Sequence, residues 1–183
     1  MGVNPDIAVF AKALGNGHPI GAIIGIPEFM DSAKYSFISS TYWTERVGPA
    51  AALAVLEEMS RANVPEYIAG IGQDVKDTWK ETAQKHKISV NIDDGFPCLS
   101  QFAFIHKQSQ ELKTLFTQFM LEEGFLAGTG FYPSMAHNAE IIRKYGLAVD
   151  RVFGKLSKII ETDSIAKRMT GPAAQKTFAR LLK

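Results

Sequence analysis

One lysine, Lys12, has the surroundings that nucleophilic chemistry requires. It follows the apolar run Ile7–Ala11 and precedes a stretch that contains Gly15, Gly17 and Gly21. A lysine at the end of a buried strand loses hydration, which favours the neutral amine, and a neutral amine can attack an aldehyde to form a Schiff base. The glycines let backbone approach a ligand closely. The pattern predicts a lysine that bonds to a carbonyl compound; the alternative is a hydrated surface lysine.

A second polar segment, Ser39–Arg46, lies just before a predicted helix. Ser40 and Thr41 carry hydroxyl donors, and the helix that follows begins with unpaired backbone N–H groups. A helix N-terminus beside hydroxyl donors is a favourable place for a phosphate group. Ser40 or Thr44 could instead cap the helix, and capping is compatible with phosphate binding. We therefore expect a phosphate site in this segment.

The lysine stretch resembles the lysine motif of class III (ω-type) aminotransferases, which use pyridoxal 5′-phosphate (PLP). The family pattern has Pro-Asp, apolar residues, the lysine, a glycine-rich turn, a proline, and then Gly-Ala with a further glycine. The counterparts here are Pro5-Asp6, Lys12, Gly15, Gly17, Pro19, Gly21-Ala22 and Gly25. The match is specific because several spacings agree at once. Within the family the stretch is most similar to the branch that includes glutamate-1-semialdehyde 2,1-aminomutase.

The resemblance implies a role for each matched residue. Lys12 would hold the cofactor aldehyde as an internal aldimine and, once released by an incoming amine, would carry a proton between substrate and cofactor. Thr41, preceded by Ser40, matches the threonine that in the family reaches across a dimer interface to the partner's cofactor phosphate. The family more often continues with Gly-Asn-Pro, where this chain has Thr44-Glu45-Arg46. This departure indicates a divergent branch.

The activity implied by the resemblance is that of an aminotransferase or an aminomutase. An aminotransferase moves an amino group between an amine or amino acid and a carbonyl compound, whereas an aminomutase, an isomerase, moves it within one molecule. The same lysine chemistry serves both, so the sequence does not choose between them. The expected partners are a small-molecule amino donor, a carbonyl acceptor and a second copy of the chain, in a homodimer with a shared active site.

The resemblance covers nearly all of this chain but only about the C-terminal half of a family member. In the family, a large region before the lysine carries a glycine-rich phosphate cup, an aromatic residue that stacks on the cofactor and an aspartate that pairs with the pyridinium nitrogen. Here Lys12 follows Met1 almost directly, so we interpret the chain as a fragment. The alternative function is a catalytically silent fragment, or an interaction module that pairs with a complementary half.

Apolar periodicity indicates an α/β fold with a domain boundary near residue 86. Residues 1–86 are predicted to end a parallel α/β domain, which the resemblance identifies as the PLP-binding large domain of fold type I. Residues 87–183 are predicted to form a small α+β domain with an antiparallel sheet. The predicted strands are 7–11, 20–26, 35–40, 88–92 and 99–105, and the predicted helices are 28–33, 45–59, 65–85, 110–122, 138–146 and 148–161, before a basic, partly helical tail, 164–183.

Composition excludes several other classes of protein. The 183 residues are 46% hydrophobic and 21% charged, as in soluble globular proteins, and a net charge of +1 gives no electrostatic basis for binding nucleic acid or an anionic membrane. The single cysteine, Cys98, cannot form an internal disulfide, which fits a reducing, cytoplasmic compartment. The four histidines and this cysteine lack metal-ligand spacing, so no metal site is expected.

Overall fold

The structure, a computed structural model, describes residues 2–175. The chain divides into two compact units, Met1–Val64 and Pro65–Lys183. A long helix, Val64–Lys85, belongs with the second unit because its apolar face packs into that unit's core. The domain boundary predicted near residue 86 lies at the other end of this helix and stays a prediction. Within residues 2–175, no helix has the length and apolar character needed to cross a bilayer.

The first unit contains a two-stranded antiparallel sheet and two helices. The strands are β1 (Ile7–Phe10) and β2 (Ala22–Gly25), and the helices are α1 (Pro27–Met30) and α2 (Val47–Arg61). Both strands and both helices agree with the sequence-based predictions. The expected parallel arrangement is not the one this pair adopts, because Ile7 lies opposite Gly25 and Phe10 opposite Ala22. The connection, residues 11–21, is too short for the crossover helix that parallel neighbours need.

The strand predicted at 35–40 is wrong. Residues 31–35 form a short 3-10 helix, Asp31–Tyr35, and residues 37–40 have no regular structure. The side chains of Tyr35 and Phe37 are 92% and 95% exposed. Alternating residues form a strand only where a neighbouring strand accepts their backbone hydrogen bonds. No other strand pairs with this segment in the described part of the chain.

The second unit is a three-stranded antiparallel sheet covered by helices. Its strands are β3 (Val90–Ile92), β4 (Ser100–Phe104) and β5 (Gly130–Phe131), in the spatial order β3-β4-β5. Its helices are α3 (Val64–Lys85), α4 (Ser109–Glu122), α5 (Ala139–Glu161) and α6 (Ile165–Arg168). Helix α6 lies in the predicted basic tail, whose residues 176–183 are outside the described part. The antiparallel sheet and the α3 and α4 predictions are confirmed.

The core of the second unit is a continuous apolar cluster in which the predicted helix faces meet. Phe102 of β4 lies at its centre, with ring centroids of Trp79, Phe116 and Phe153 at 4.8, 5.2 and 5.9 Å. The Trp79 indole N–H donates to the Tyr145 hydroxyl at 2.9 Å, so the polar atoms of these two buried side chains are paired. The α4 residues predicted to share one face are all buried: Leu112, Leu115, Phe116, Phe119 and Met120.

Helix α5 is longer than predicted. Asn138 caps it as expected, with its side-chain oxygen accepting a hydrogen bond from the Ile141 N–H. The predicted end at Gly146 is wrong, since the helix continues to Glu161. An interior glycine costs only about 1 kcal/mol relative to alanine. Here it lets α5 lie close to α3, because a Cβ at Gly146 would stand 3.3 Å from the Thr78 methyl group.

Helix α3 carries two glycines that provide an internal comparison. A Cβ added at Gly72 would lie 1.9 Å from the Pro97 carbonyl oxygen, whereas nothing lies within 4 Å of a Cβ added at Gly70. We predict that Gly72→Ala destabilises the fold by about 3 kcal/mol or more, because backbone must move. Gly70→Ala should stabilise it by about 0.5–1 kcal/mol through helix propensity.

The measurement is urea denaturation of both variants of the complete polypeptide, monitored by circular dichroism. Equal effects of the two substitutions would contradict the close packing of α3 on Pro97.

Candidate functional site

Lys12 lies directly beyond β1, in a short 3-10 helix, Lys12–Leu14. Its backbone has a φ of +52°, a left-handed conformation that non-glycine residues adopt rarely and at a cost of about 1–3 kcal/mol. A strained residue of this kind at the end of a strand supports a functional interpretation. Its side chain is exposed.

The burial expected around Lys12 is not provided by residues 2–175. Strand β1 was predicted to be buried, yet Val9 is 71% exposed and Ile7 and Phe10 are about half exposed. An apolar strand with both faces uncovered is typical of one that needs neighbours on both sides. Any desolvation of the Lys12 amine therefore has to come from polypeptide or ligand other than the described residues.

The glycine-rich stretch after Lys12 forms a compact turn. The Gly15 N–H donates to the Lys12 carbonyl at 3.2 Å, and the His18 N–H donates to the Gly15 carbonyl at 3.0 Å. A Cβ at Gly15 would lie 2.1 Å from the His18 carbonyl oxygen and 2.7 Å from a methyl carbon of Ile20. Only glycine fits there, so this residue fixes the path of the chain that leaves Lys12.

The start of helix α2 packs against this turn. A Cβ at Gly48 would lie 2.9 Å from the Pro19 carbonyl oxygen and 3.3 Å from the Ile20 Cβ. Gly48 is buried, and the backbones of the turn and of the helix meet there without an intervening side chain. This contact brings the segment after Lys12 beside the segment that precedes α2.

Ser40 and Thr41 lie in the loop before α2, and both are exposed. The Ser40 hydroxyl oxygen accepts a hydrogen bond from the Tyr42 N–H at 3.2 Å, which leaves its own proton available for donation. The Thr41 hydroxyl makes no hydrogen bond within residues 2–175. Both hydroxyls can therefore donate to an anionic ligand.

A cleft of about 430 Å³ lies between the glycine turn and this loop. Ser40 lines it, together with residues of the turn, so the structure brings these two predicted segments together. Lys12 and Thr41 are not among its lining residues. The cleft is lined by Pro19, Ile20, Gly21, Ser40, Tyr42, Trp43, Glu45 and Pro49.

Glu45, to which sequence reasoning gave no role, occupies the N-terminus of α2. Its carboxylate accepts hydrogen bonds from the Val47 N–H and, at 2.9 Å, from the Gly48 N–H. These bonds, above all the one from Gly48, lower the pKa of Glu45 below its ordinary value, and the nearby charge of His18 adds to the effect. Neither Ser40 nor Thr44 caps the helix. A carboxylate at the start of the predicted helix was the signal available in the sequence.

Comparison with known proteins gives matches along most of the chain. The family model described as aminotransferase class-III matches residues 1–130. The 5-aminovalerate aminotransferase DavT of Pseudomonas aeruginosa is 34% identical over 88 residues, which cover 48% of this chain and 21% of that protein. The 2′-deamino-2′-hydroxyneamine transaminase of Streptomyces kanamyceticus is 25% identical over 153 residues, covering 81% of this chain and 38% of that protein. The chain thus spans less than two fifths of the length of either relative.

Solved structures show the same fold. The PLP internal aldimine form of the FumI protein of Sphingopyxis sp. MTA144 superposes with a TM-score of 0.81 at 21% identity, over 88% of this chain and 39% of that one. An S-selective transaminase from Arthrobacter sp. has a TM-score of 0.73 at 24% identity, over 86% and 40%. The predicted fold class, part of a fold type I PLP-dependent transferase, is confirmed. Because the family model matches most of its length, the chain belongs to the class III aminotransferase family.

Proposed function

We propose that the complete polypeptide containing this chain is a PLP-dependent enzyme that transfers an amino group between an amine or amino acid and a carbonyl compound. The observation that carries the proposal is Lys12 itself, an exposed primary amine held in a left-handed backbone conformation between β1 and the glycine turn. The contact of Gly48 with Pro19 places the glycine turn beside the loop of Ser40 and Thr41, so the proposed amine and the hydroxyls proposed for the partner's cofactor come from neighbouring segments. Membership of the class III family supports the same activity.

The residues of this chain suit the cofactor. When bound, PLP supplies an aldehyde that accepts amines and a ring that withdraws electrons from the substrate carbon. The Lys12 amine is exposed and chemically able to hold that aldehyde. Once released, the same amine is available to take a proton from the substrate and return it to the product, because a free amine is a base.

Ser40 and Thr41 are proposed as phosphate ligands. Each hydroxyl retains a proton that can be donated to a phosphate oxygen, and neither residue is buried against other parts of the described chain. In a homodimer with a shared active site, which we also propose, these hydroxyls would serve the partner's cofactor. The exposure of the neighbouring Tyr42 and Trp43 side chains supports an interface at this loop.

The finer assignment within the family is also a proposal. The lysine stretch supports the branch that includes glutamate-1-semialdehyde 2,1-aminomutase, and the departure at Thr44-Glu45-Arg46 supports a divergent member. The amino donor and carbonyl acceptor would be small molecules, and an aminomutase would combine both in one substrate. A cytoplasmic location is proposed from the single cysteine.

Borohydride reduction tests the role of Lys12. After incubation of the complete polypeptide with PLP and reduction, mass spectrometry should find the cofactor mass on the peptide that contains Lys12. Lys12→Arg keeps the positive charge but removes the nucleophilic amine, so labelling should disappear and activity should fall by about 10³-fold or more.

Lys34→Arg is the control, because Lys34 is exposed and pairs with Asp31 only three residues away. It should keep full labelling. An unlabelled Lys12 peptide in the active wild-type protein would refute the proposed function.

Substitution of Thr41 by valine tests the phosphate site. Valine keeps the shape of the side chain but lacks the hydroxyl, so loss of a hydrogen bond to a charged phosphate should weaken PLP binding by about tenfold. Thr44→Val is the matched control, since Thr44 lies in the same loop and does not cap α2. Equal PLP affinities for the Thr41 and Thr44 variants, measured by absorbance titration, would exclude Thr41 as a ligand.

A second candidate function is an interaction module, or a catalytically silent fragment, that requires a complementary half. The observation in its favour is the exposed apolar surface of the first unit, which is large for a protein that acts alone. Its exposed side chains include Ile7, Val9, Phe10, Ile23, Ile24, Phe29, Tyr35, Phe37, Ile38 and Trp43.

The 183-residue chain, expressed by itself, should therefore associate or aggregate and bind PLP poorly. Analytical ultracentrifugation and PLP titration check this expectation. A monomeric chain with a sharp thermal transition would contradict it, and a tightly bound PLP chromophore that depends on Lys12 would exclude the silent fragment.

A further inference from the structure

We propose that Glu45 is a positioning residue for the phosphate group of the cofactor. By binding the first backbone amides of α2, it holds the loop that contains Ser40 and Thr41 in place, and so sets where their hydroxyls stand. This inference rests on the proposed PLP-dependent function. It concerns the position at which this chain departs from the more common family pattern.

The contacts of Glu45 connect the loop to the helix. Its carboxylate accepts from the N–H groups of Val47 and Gly48, and its own backbone N–H donates to the Tyr42 carbonyl at 3.1 Å. Hydrogen bonds to a charged acceptor are roughly twice as strong as those between neutral groups. Glu45 therefore anchors the C-terminal end of the loop from both its side chain and its backbone.

A series of short hydrogen-bonded turns carries this anchoring back to Ser40. The Tyr42 N–H donates to the Ser40 hydroxyl oxygen, and the Trp43 N–H donates to the Ser40 carbonyl at 3.2 Å. Residues 40–45 are thus joined to one another and, through Glu45, to α2. The described part of the chain shows no other side-chain hydrogen bond from this loop to the first turn of α2, so loss of the carboxylate would remove that link.

The same contacts decide which groups remain for a phosphate. The first amides of a helix are a common phosphate site, but here those of Val47 and Gly48 already bind a carboxylate. Gly48 is in addition closed off by Pro19, whose carbonyl oxygen would lie 2.9 Å from a Cβ at that position. A phosphate at this loop therefore depends on donors outside the helix terminus, among them the hydroxyls of Ser40 and Thr41.

The experiment compares two forms of the cofactor in the complete polypeptide. PLP and pyridoxal share the aldehyde and ring, but pyridoxal lacks the phosphate, so the ratio of their dissociation constants isolates the phosphate contribution. Glu45→Ala should weaken PLP binding by about tenfold while changing pyridoxal binding by less than about twofold. Glu45→Gln keeps one acceptor oxygen without the charge, and should weaken PLP binding by about threefold.

Glu57→Ala is the control, because Glu57 is an exposed residue of α2 away from the loop. It should change neither constant. Circular dichroism and sedimentation identify the variants that keep the wild-type fold and assembly. If Glu45→Ala loses either one, the dissociation constants of Glu45→Gln decide the test.

Three outcomes would overturn the inference. Equal weakening of PLP and pyridoxal binding would show a general structural role, and unchanged PLP binding in both variants would show no role. Tighter PLP binding by Glu45→Ala would show that the amides of Val47 and Gly48, once released, bind the phosphate themselves. Failure of the proposed function is distinguishable, because wild-type protein would then bind neither PLP nor pyridoxal covalently.

Discussion

The backbone of the glycine turn meets the first turn of α2 at Gly48, and the candidate site depends on this contact. A side chain at Gly15 or Gly48 would overlap backbone atoms of the turn. The segment after Lys12 and the segment after Ser40 can therefore lie together only because glycine occupies both positions. Dense packing makes such contacts intolerant of even one extra carbon.

The two units differ in how completely they bury their own apolar side chains. In the second unit, α3, α4, α5 and the sheet enclose Trp79, Phe116 and Phe153 with almost no exposed area. In the first unit, the apolar strands β1 and β2 are exposed on both faces. A two-stranded sheet of this kind is marginal in water, and further layers are needed to cover it. The parts of the molecule that carry the candidate chemistry are thus the ones that depend most on additional polypeptide.

Glu45 shows how backbone amides at a helix start can hold a carboxylate in its charged form. A carboxylate at the start of a helix satisfies backbone amides and keeps its charge, since those amides lower its pKa. Where the family more often has Gly-Asn-Pro, this chain has a side chain that closes the helix terminus. The hydroxyls of the preceding loop then remain as the donors for an anion.

Much of the secondary structure and the choice of Lys12 as the candidate lysine followed from neighbouring residues alone. The apolar stripe of α4, the Asn138 cap and the strands on either side of the lysine turn are local patterns, and local sequence determines them. Other features required residues far apart in the chain. The exposed 35–40 segment lacks a strand to pair with, α5 continues through Gly146 because it packs on Thr78, and β1 and β2 are antiparallel because their connection is short.

The candidate site divides in the same way. The sequence by itself determined which residues can do chemistry, Lys12, Ser40 and Thr41, because amine and hydroxyl reactivity belong to the side chain. The bonds from the Val47 and Gly48 N–H groups to Glu45 are local and depend on the backbone path at the start of α2. Only the tertiary structure decided that Gly48 meets Pro19, because residues so far apart in sequence come together only in the folded backbone.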